Sequence, residues 1–248
     1  MAKDNRLKGP IDSGQLEQVA ALVRAFIPQH VVYAEPWFRE GEIFFPKIPS
    51  RREVLNDPDE RIVNFYVTVK TRWQELLFLI ESTLYSSTLA ELADDIYHGR
   101  KHIGSLYRAW ALWLKYNRDR VNRNAWLTDT ALWLSGYKEE SRLGKNVEKM
   151  VSKRLEDVVL VNTDAVDFIR QQDTSETFFY FKPSDRKEAA RLAELLPCLK
   201  GLFIFYYPDK RVGERIAAQC RLNREQDAEG NVVYMNFKRQ ETLFDKID

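Results

Sequence analysis

A chain of 248 residues with 44% apolar and 30% charged side chains can bury one sizeable core and carry an inserted subdomain, which excludes a disordered tail. Its longest apolar runs fall far short of the roughly 20 residues that a bilayer-spanning helix needs, and the opening MAKDNRLKGP is too polar for a signal peptide, so a cytoplasmic protein without a membrane partner is expected. The net charge of +1 hides an asymmetry: residues 98–154 hold 13 Lys/Arg against 5 Asp/Glu, an excess of +8 that leaves −7 elsewhere, as suits either a face that meets a polyanion or a solvated basic surface.

From Gln15 to Ile27, the residues Leu16, Val19, Leu22, Val23, Phe26 and Ile27 recur at helical spacing, and His30 to Tyr33 then reads as a short buried strand. Glu42 to Phe45 is a short apolar step and Glu53 to Leu55 a second strand. Asp57-Pro58-x-Glu60 has the form of a helix start, with Asp57 as N-cap, Pro58 as the first helical residue and Glu60 as the returning acid. The helix that follows carries Ile62, Phe65, Tyr66, Val69, Trp73, Leu76, Leu77 and Ile80 on one face. Residues 83–150 hold no strong strand signal but many basic and aromatic residues, Trp110, Trp113, Trp126 and Trp133 among them, and read as a helical insertion. Strand signals return at Val158 to Val161, Thr177 to Phe181, Gly201 to Tyr207 and Asn231 to Phe237. Between the second and third of these lies a helix with the stripe Ala189, Leu192, Leu195, Leu196 and Leu199. Alternation of strands and helices implies an α/β fold: a mostly parallel sheet with helices on both faces, built from residues 1–82 and 151–248 and interrupted by the helical subdomain 83–150.

The stretch from Tyr33 to Tyr66, YAEPWFREGEIFFPKIPSRREVLNDPDERIVNFY, resembles the cofactor-binding half of the Dam-like adenine-N6 DNA methyltransferases, in which EPFxGxGAVFF is followed by a strand ending in ND and by VVNFY. Asn162 to Pro183, NTDAVDFIRQQDTSETFFYFKP, is similar to the family segment that runs from an Asp-Ala strand end through a helix to FFYxDPPY. A weaker likeness lies at Ile11 to Leu16, where the family has an aromatic-x-x-Gly-Gly-Lys motif. The resemblance covers most of the chain. It implies a Rossmann-like methyltransferase fold, S-adenosylmethionine as cofactor, double-stranded DNA as partner and a target-recognition role for the basic helical insert.

Methyl transfer to the exocyclic amine of adenine requires acceptors that draw on the amino hydrogens, and the family's (D/N)PPY segment supplies them together with a stacking aromatic. The four matching positions here are Lys182, Pro183, Ser184 and Asp185. A lysine ammonium has donors and no acceptor, so it cannot polarise the amine, and its charge opposes the positive charge that develops there. Asp185 has no flat face to stack on an extruded base. The segment after Pro183 is also shorter than the loop that the family closes over its target base.

The family's cofactor loop relies on glycines, and this chain reads Trp37-Phe38-Arg39-Glu40-Gly41-Glu42 there. Leu16 and Gln15 replace the lysine that would meet the methionine carboxylate and the glycine before it, while Gly14 remains. Glu35 and Pro36 keep the strand-end identity. Asp57 matches the acid that would accept from the ribose hydroxyls and Asp164 the acid that would meet the cofactor's adenine amine, although helix capping and strand ending explain these two acids equally well. Three separately placed motifs thus depart from the pattern together, while Phe44, Phe45, Val63, Phe65, Phe178 and Phe179 around them stay apolar and family-like. The expectation is a scaffold that no longer methylates and that binds DNA, an intact methyltransferase relative, or both. An active but divergent S-adenosylmethionine-dependent enzyme and a protein-interaction module without a nucleic-acid role are the alternatives.

Within the insert, Arg118, Arg120 and Arg123 with Asn117, Asn122 and Asn124 form the cluster best suited to phosphates and purine edges, or else a solvated surface. Trp110 and Trp113 read as insert core rather than as stacking platforms. His98 and His102 lack an acid in HExxH register and a third ligand, so no metal site is expected. Cys198 and Cys220 have no ligand spacing and read as buried or idle reduced thiols.

Overall fold

The computed structural model describes residues 17–83, 87–121 and 151–238, with the backbone alone at 17, 87 and 117–121. Helix α1 (Glu17–Phe26) precedes β1 (Val32–Glu35) and β2 (Arg52–Asn56), which are followed by α2 (Glu60–Glu81), α3 (Ser87–Tyr97), α4 (Ser105–Val121) and β3 (Val159–Val161). Then come α5 (Ala165–Gln172), β4 (Thr177–Phe181), α6 (Arg186–Leu195), a 3-10 turn (Leu196–Cys198), β5 (Leu202–Phe205), α7 (Lys210–Cys220), β6 (Asn223–Gln226) and β7 (Val232–Met235). The result is a mixed α/β chain with a seven-stranded, mostly parallel sheet in the order β3-β2-β1-β4-β5-β7-β6, compatible with a Rossmann-like fold. No helix among the described residues is long and apolar enough to cross a membrane.

By compactness the described residues divide into two units, one of 39–48, 59–83, 87–121 and 151–162 and the other of 17–38, 49–58 and 163–238. In the second unit β1 pairs in parallel with β2 and β4, and β4 with β5, through registers such as Val32↔Arg52, Val32↔Thr177 and Phe178↔Leu202. β7 runs antiparallel to both β5 and β6. All five residues of β4, TFFYF, are buried. A central parallel strand covered on both faces has no solvent side, so it reads as a continuous apolar run and not as an alternation. Phe179 stacks on Phe181 at 5.2 Å between ring centroids, and Phe181 lies 5.3 Å from Phe203 on β5. Burying each such phenylalanine contributes roughly 2 kcal/mol. Gly201 is required at the entry to β5, because a Cβ there would stand 2.8 Å from the Thr177 carbonyl oxygen.

In the first unit α4 packs against both α2 and α3. Trp110 is 3% exposed and its Nε1 donates to Thr83 Oγ1 at 2.8 Å, which makes it core, as expected. α2 breaks at Arg72, where φ is −140° and ψ is 33°. Just before the break, the Thr68 and Thr71 hydroxyls donate back to the Asn64 and Val67 carbonyls, each at 2.7 Å, and this local competition bends helices.

Several expectations need correction. The first strand begins two residues later than expected. His30 lies outside it, with Nδ1 and Nε2 2.6 Å from the Pro28 carbonyl and 2.7 Å from Ser50 Oγ. The N-cap of α2 is Asp59 and not Asp57: its extended backbone turns the chain into the helix and its carboxylate accepts from the Arg61 amide at 2.9 Å. Pro58 therefore precedes the cap, and Glu60 reaches Arg108 at 2.7 Å instead of closing a capping box. Asp57 stays with the end of β2, 5% exposed. Two elements add to the expected ones, α7 and β6. β6 is the edge strand NREQ, whose alternating exposure needs no apolar run because only β7 pairs with it.

Candidate functional site

The second unit contains a topological switch point. β1 has β2 on one side and β4 on the other, and in open doubly wound sheets the crevice outside the carboxyl ends of such strands is where ligands bind. Three loop starts meet there, and a single side chain ties them together. Asn56, fully buried at the end of β2, donates through Nδ2 to the Pro36 carbonyl at 2.9 Å and to the Thr163 carbonyl at 3.1 Å. Its Oδ1 accepts from the Thr163 amide at 2.9 Å, and its own carbonyl accepts from the Phe38 amide at 2.9 Å. Both amide protons and the side-chain oxygen are thus used in holding the segments after β1 and before α5 against β2.

Glu35 ends β1 fully buried, and Tyr33 donates its hydroxyl to Glu35 Oε1. Pro36 follows, also buried. Trp37, 3% exposed, meets the Phe181 ring edge-on at 6.4 Å, so an indole and a phenyl ring span the carboxyl ends of β1 and β4. The Trp37 Nε1 proton has no hydrogen-bond partner among the described residues. Leaving such a donor buried costs on the order of 1–3 kcal/mol.

In the first unit, the loop that follows keeps an unusual backbone. Arg39 has φ 46° and Gly41 φ 68°, both in the left-handed region. A glycine enters it freely and an arginine does not. The Gly41 carbonyl accepts from the Phe45 amide at 3.0 Å, and the Arg154 guanidinium lies 3.6 Å from the Phe44 ring centroid and donates to the Phe44 carbonyl at 3.0 Å. Gly14, with Gln15 and Leu16, lies outside the described residues.

Asp164 caps α5. Its Oδ1 accepts from the Val166 amide at 2.9 Å and the Asp167 amide at 3.3 Å. Arg191 on α6 adds a fork, with Nη2 2.9 Å from Oδ1 and Nη1 2.8 Å from Oδ2. The Arg191 guanidinium, and then the α5 amides, hold the Asp164 carboxyl below its usual range. Arg191 Nη1 also donates to Glu188 Oε1 at 2.9 Å.

At the end of β4, Lys182 is 9% exposed and Pro183 is buried, whereas Ser184 and Asp185 are exposed. Asp185 is the N-cap of α6, and its carboxylate accepts from the Glu188 amide at 2.9 Å. Arg186 pairs at 2.8 Å with Asp209, the N-cap of α7. Tyr207 lies among these groups, and burial raises its hydroxyl pKa against the opposing pull of Arg186.

The structure therefore gathers Glu35, Pro36 and Asp164 around Asn56. It also gives Asp164 and Asp185 to helix caps. Of the expected DNA-facing cluster, Arg118 and Arg120 belong to α4 with only their backbone described, and Asn122, Arg123 and Asn124 lie outside the described residues, as do Trp126 and Trp133. The described cations of the insert include three in ion pairs: Arg100 with Asp94 and Asp95, Arg108 with Glu60, and Lys115 with Asp94. No group of three or more His, Cys, Asp or Glu among the described residues is placed to hold a metal ion. Sequence reasoning missed Asn56 and Arg191. An amide closing an otherwise buried strand is a signal for the first, but nothing in the sequence connects residue 191 with residue 164. No family model matches the chain, and no curated protein matches it closely enough to serve as a relative.

Proposed function

We propose that this chain is a homologue of the adenine-N6 DNA methyltransferases that does not transfer methyl groups and acts instead by binding double-stranded DNA, an intact methyltransferase relative, or both, in the cytoplasm. Lys182 carries the reading. It is a nine-tenths buried ammonium at the carboxyl end of β4, where the resemblance calls for the acceptor that activates the amine, and it has only donors to offer. The mostly parallel sheet, with β7 antiparallel to β5 and β6, is compatible with the Rossmann-like scaffold that this reading requires.

S-adenosylmethionine, the cofactor that the resemblance implies, is poorly matched by the side chains at the positions that correspond to its contacts. In the first unit Arg39 and Gly41 take left-handed turns of the kind that glycine favours, yet an arginine and Glu42 stand where the resemblance calls for small residues. Asp164, the acid matched to the cofactor's adenine, already accepts from Arg191.

The test is methyl transfer to adenine in duplex DNA by the purified protein with labelled S-adenosylmethionine, and none is expected. Transfer that disappears on replacing Pro183 or Asp164 would overturn the reading. DNA binding is expected to weaken steeply with salt, and neutralising Arg118, Arg120 and Arg123 should lower the log–log salt slope by about 3. Salt-independent behaviour would favour a purely protein-binding module. A divergent active enzyme is the second reading, favoured by the left-handed backbone at Arg39 and Gly41 and by Asp57 not serving as the α2 cap. Calorimetry that finds no S-adenosylmethionine binding would remove it.

A further inference from the structure

We propose that Arg191 is an internal occupant of the adenine-binding acceptor: its guanidinium closes Asp164, and a ligand carrying an adenine binds only in molecules where that pair has separated. The inference rests on the methyltransferase-like reading above and adds to it the residue that closes the site and the ligand class that competes with it.

An ionised carboxylate offers about four acceptor positions and no donor. Four donors already point at Asp164: the Val166 and Asp167 amides and the two terminal nitrogens of Arg191. The amides belong to the first turn of α5 and cannot leave without unwinding it. Arg191 can leave, because it is held only through its side chain. An exocyclic adenine amine presents N–H donors like those of the guanidinium, so the two compete for the same oxygens.

The placement gives that competition a location. Thr163, one residue before Asp164, is bonded in both directions to Asn56 at the end of β2, so Asp164 stands at the ligand-binding edge of the sheet. The Asp164 and Arg191 side chains are 38% and 37% exposed, so a solute can reach the pair without unfolding the protein. Glu188, one helical turn before Arg191, accepts from it at 2.9 Å and orients the fork. The Glu188 amide is in turn held by Asp185, the last of the four residues that replace the methyltransferase motif. The altered segment after β4 thus starts the helix that delivers the closing arginine. Under this arrangement the apparent affinity for an adenine ligand is the intrinsic affinity reduced by the open fraction of molecules.

The experiment is calorimetric titration of the full chain with S-adenosylhomocysteine, comparing wild type, Arg191→Ala, Arg191→Lys and the double variant Arg191→Ala/Asp164→Ala. Arg191→Ala is expected to bind about tenfold more tightly than wild type, with Arg191→Lys between the two because it keeps the charge but not the fork. The double variant should lose the gain. Affinity in Arg191→Ala no higher than in wild type, or a gain that persists without Asp164, overturns the proposal. If Arg191→Ala does not fold, Arg191→Lys carries the same two outcomes. Methyl transfer by the wild-type protein would instead overturn the non-catalytic reading and leave the competition measurable, so the two failures are distinguishable.

Discussion

The carboxyl ends of β1 and β2 and the segment after β4 are strand ends of one sheet, and they are held in different ways. After β1 and β2 a buried amide does the holding, since Asn56 ties three segments together, and Arg39 beyond β1 takes a left-handed turn. After β4 the side chains act through a helix, with Asp185 capping α6 and Arg191 from that helix clamping Asp164. The difference is one of exposure: the Asn56 staple is fully buried, whereas the Asp164–Arg191 pair is more than a third exposed and is screened by solvent.

The first way to break the comparison is to cut the staple. Asn56→Ala removes three hydrogen bonds and leaves the Thr163 amide and the Pro36 carbonyl without it, and should cost about 3 kcal/mol, read as a lower urea midpoint at unchanged slope. A loss below about 1 kcal/mol would mean that the loops hold themselves.

Asp164→Asn keeps a capping oxygen but loses the charge that Arg191 meets, and should destabilise by roughly 1 kcal/mol at neutral pH. Because the folded state holds this carboxyl below its ordinary range, folding releases its proton at acidic pH, so its contribution is full above the unfolded value of about 4 and falls as pH drops through the lower folded one. Thermal melts from pH 6 to pH 2 should accordingly show a gap between wild type and variant that narrows with acid. A gap independent of pH would assign the effect to packing.

Arg39→Gly is the smallest and the most pointed change. Relief of the left-handed conformation is partly offset by the greater freedom of glycine when unfolded, so a gain of roughly 0.5 kcal/mol is expected. Destabilisation would show that the arginine side chain, and not the backbone, maintains the loop.

Much of this architecture was legible in the residues. The apolar run TFFYF announced a strand, and the spacing from Ile62 to Ile80 announced a long amphipathic helix. Boundaries set by one polar atom were not legible. Asp57 and Asp59 both precede the helix with a side chain able to cap, and the local pattern favours the one before proline, but the backbone turned two residues later. β6 escaped because an edge strand of Asn, Arg, Glu and Gln has no apolar period.

Periodicity and composition by themselves determined the α/β class and the alternation of elements, because these depend on the character of residues along the chain. Which acid caps a helix, which amide joins three loops and which arginine occupies Asp164 were decided by tertiary structure alone. Hydrogen bonds act over about 3 Å, and residues 56 and 163, or 164 and 191, come within that distance only after the strands have paired and the helices have packed.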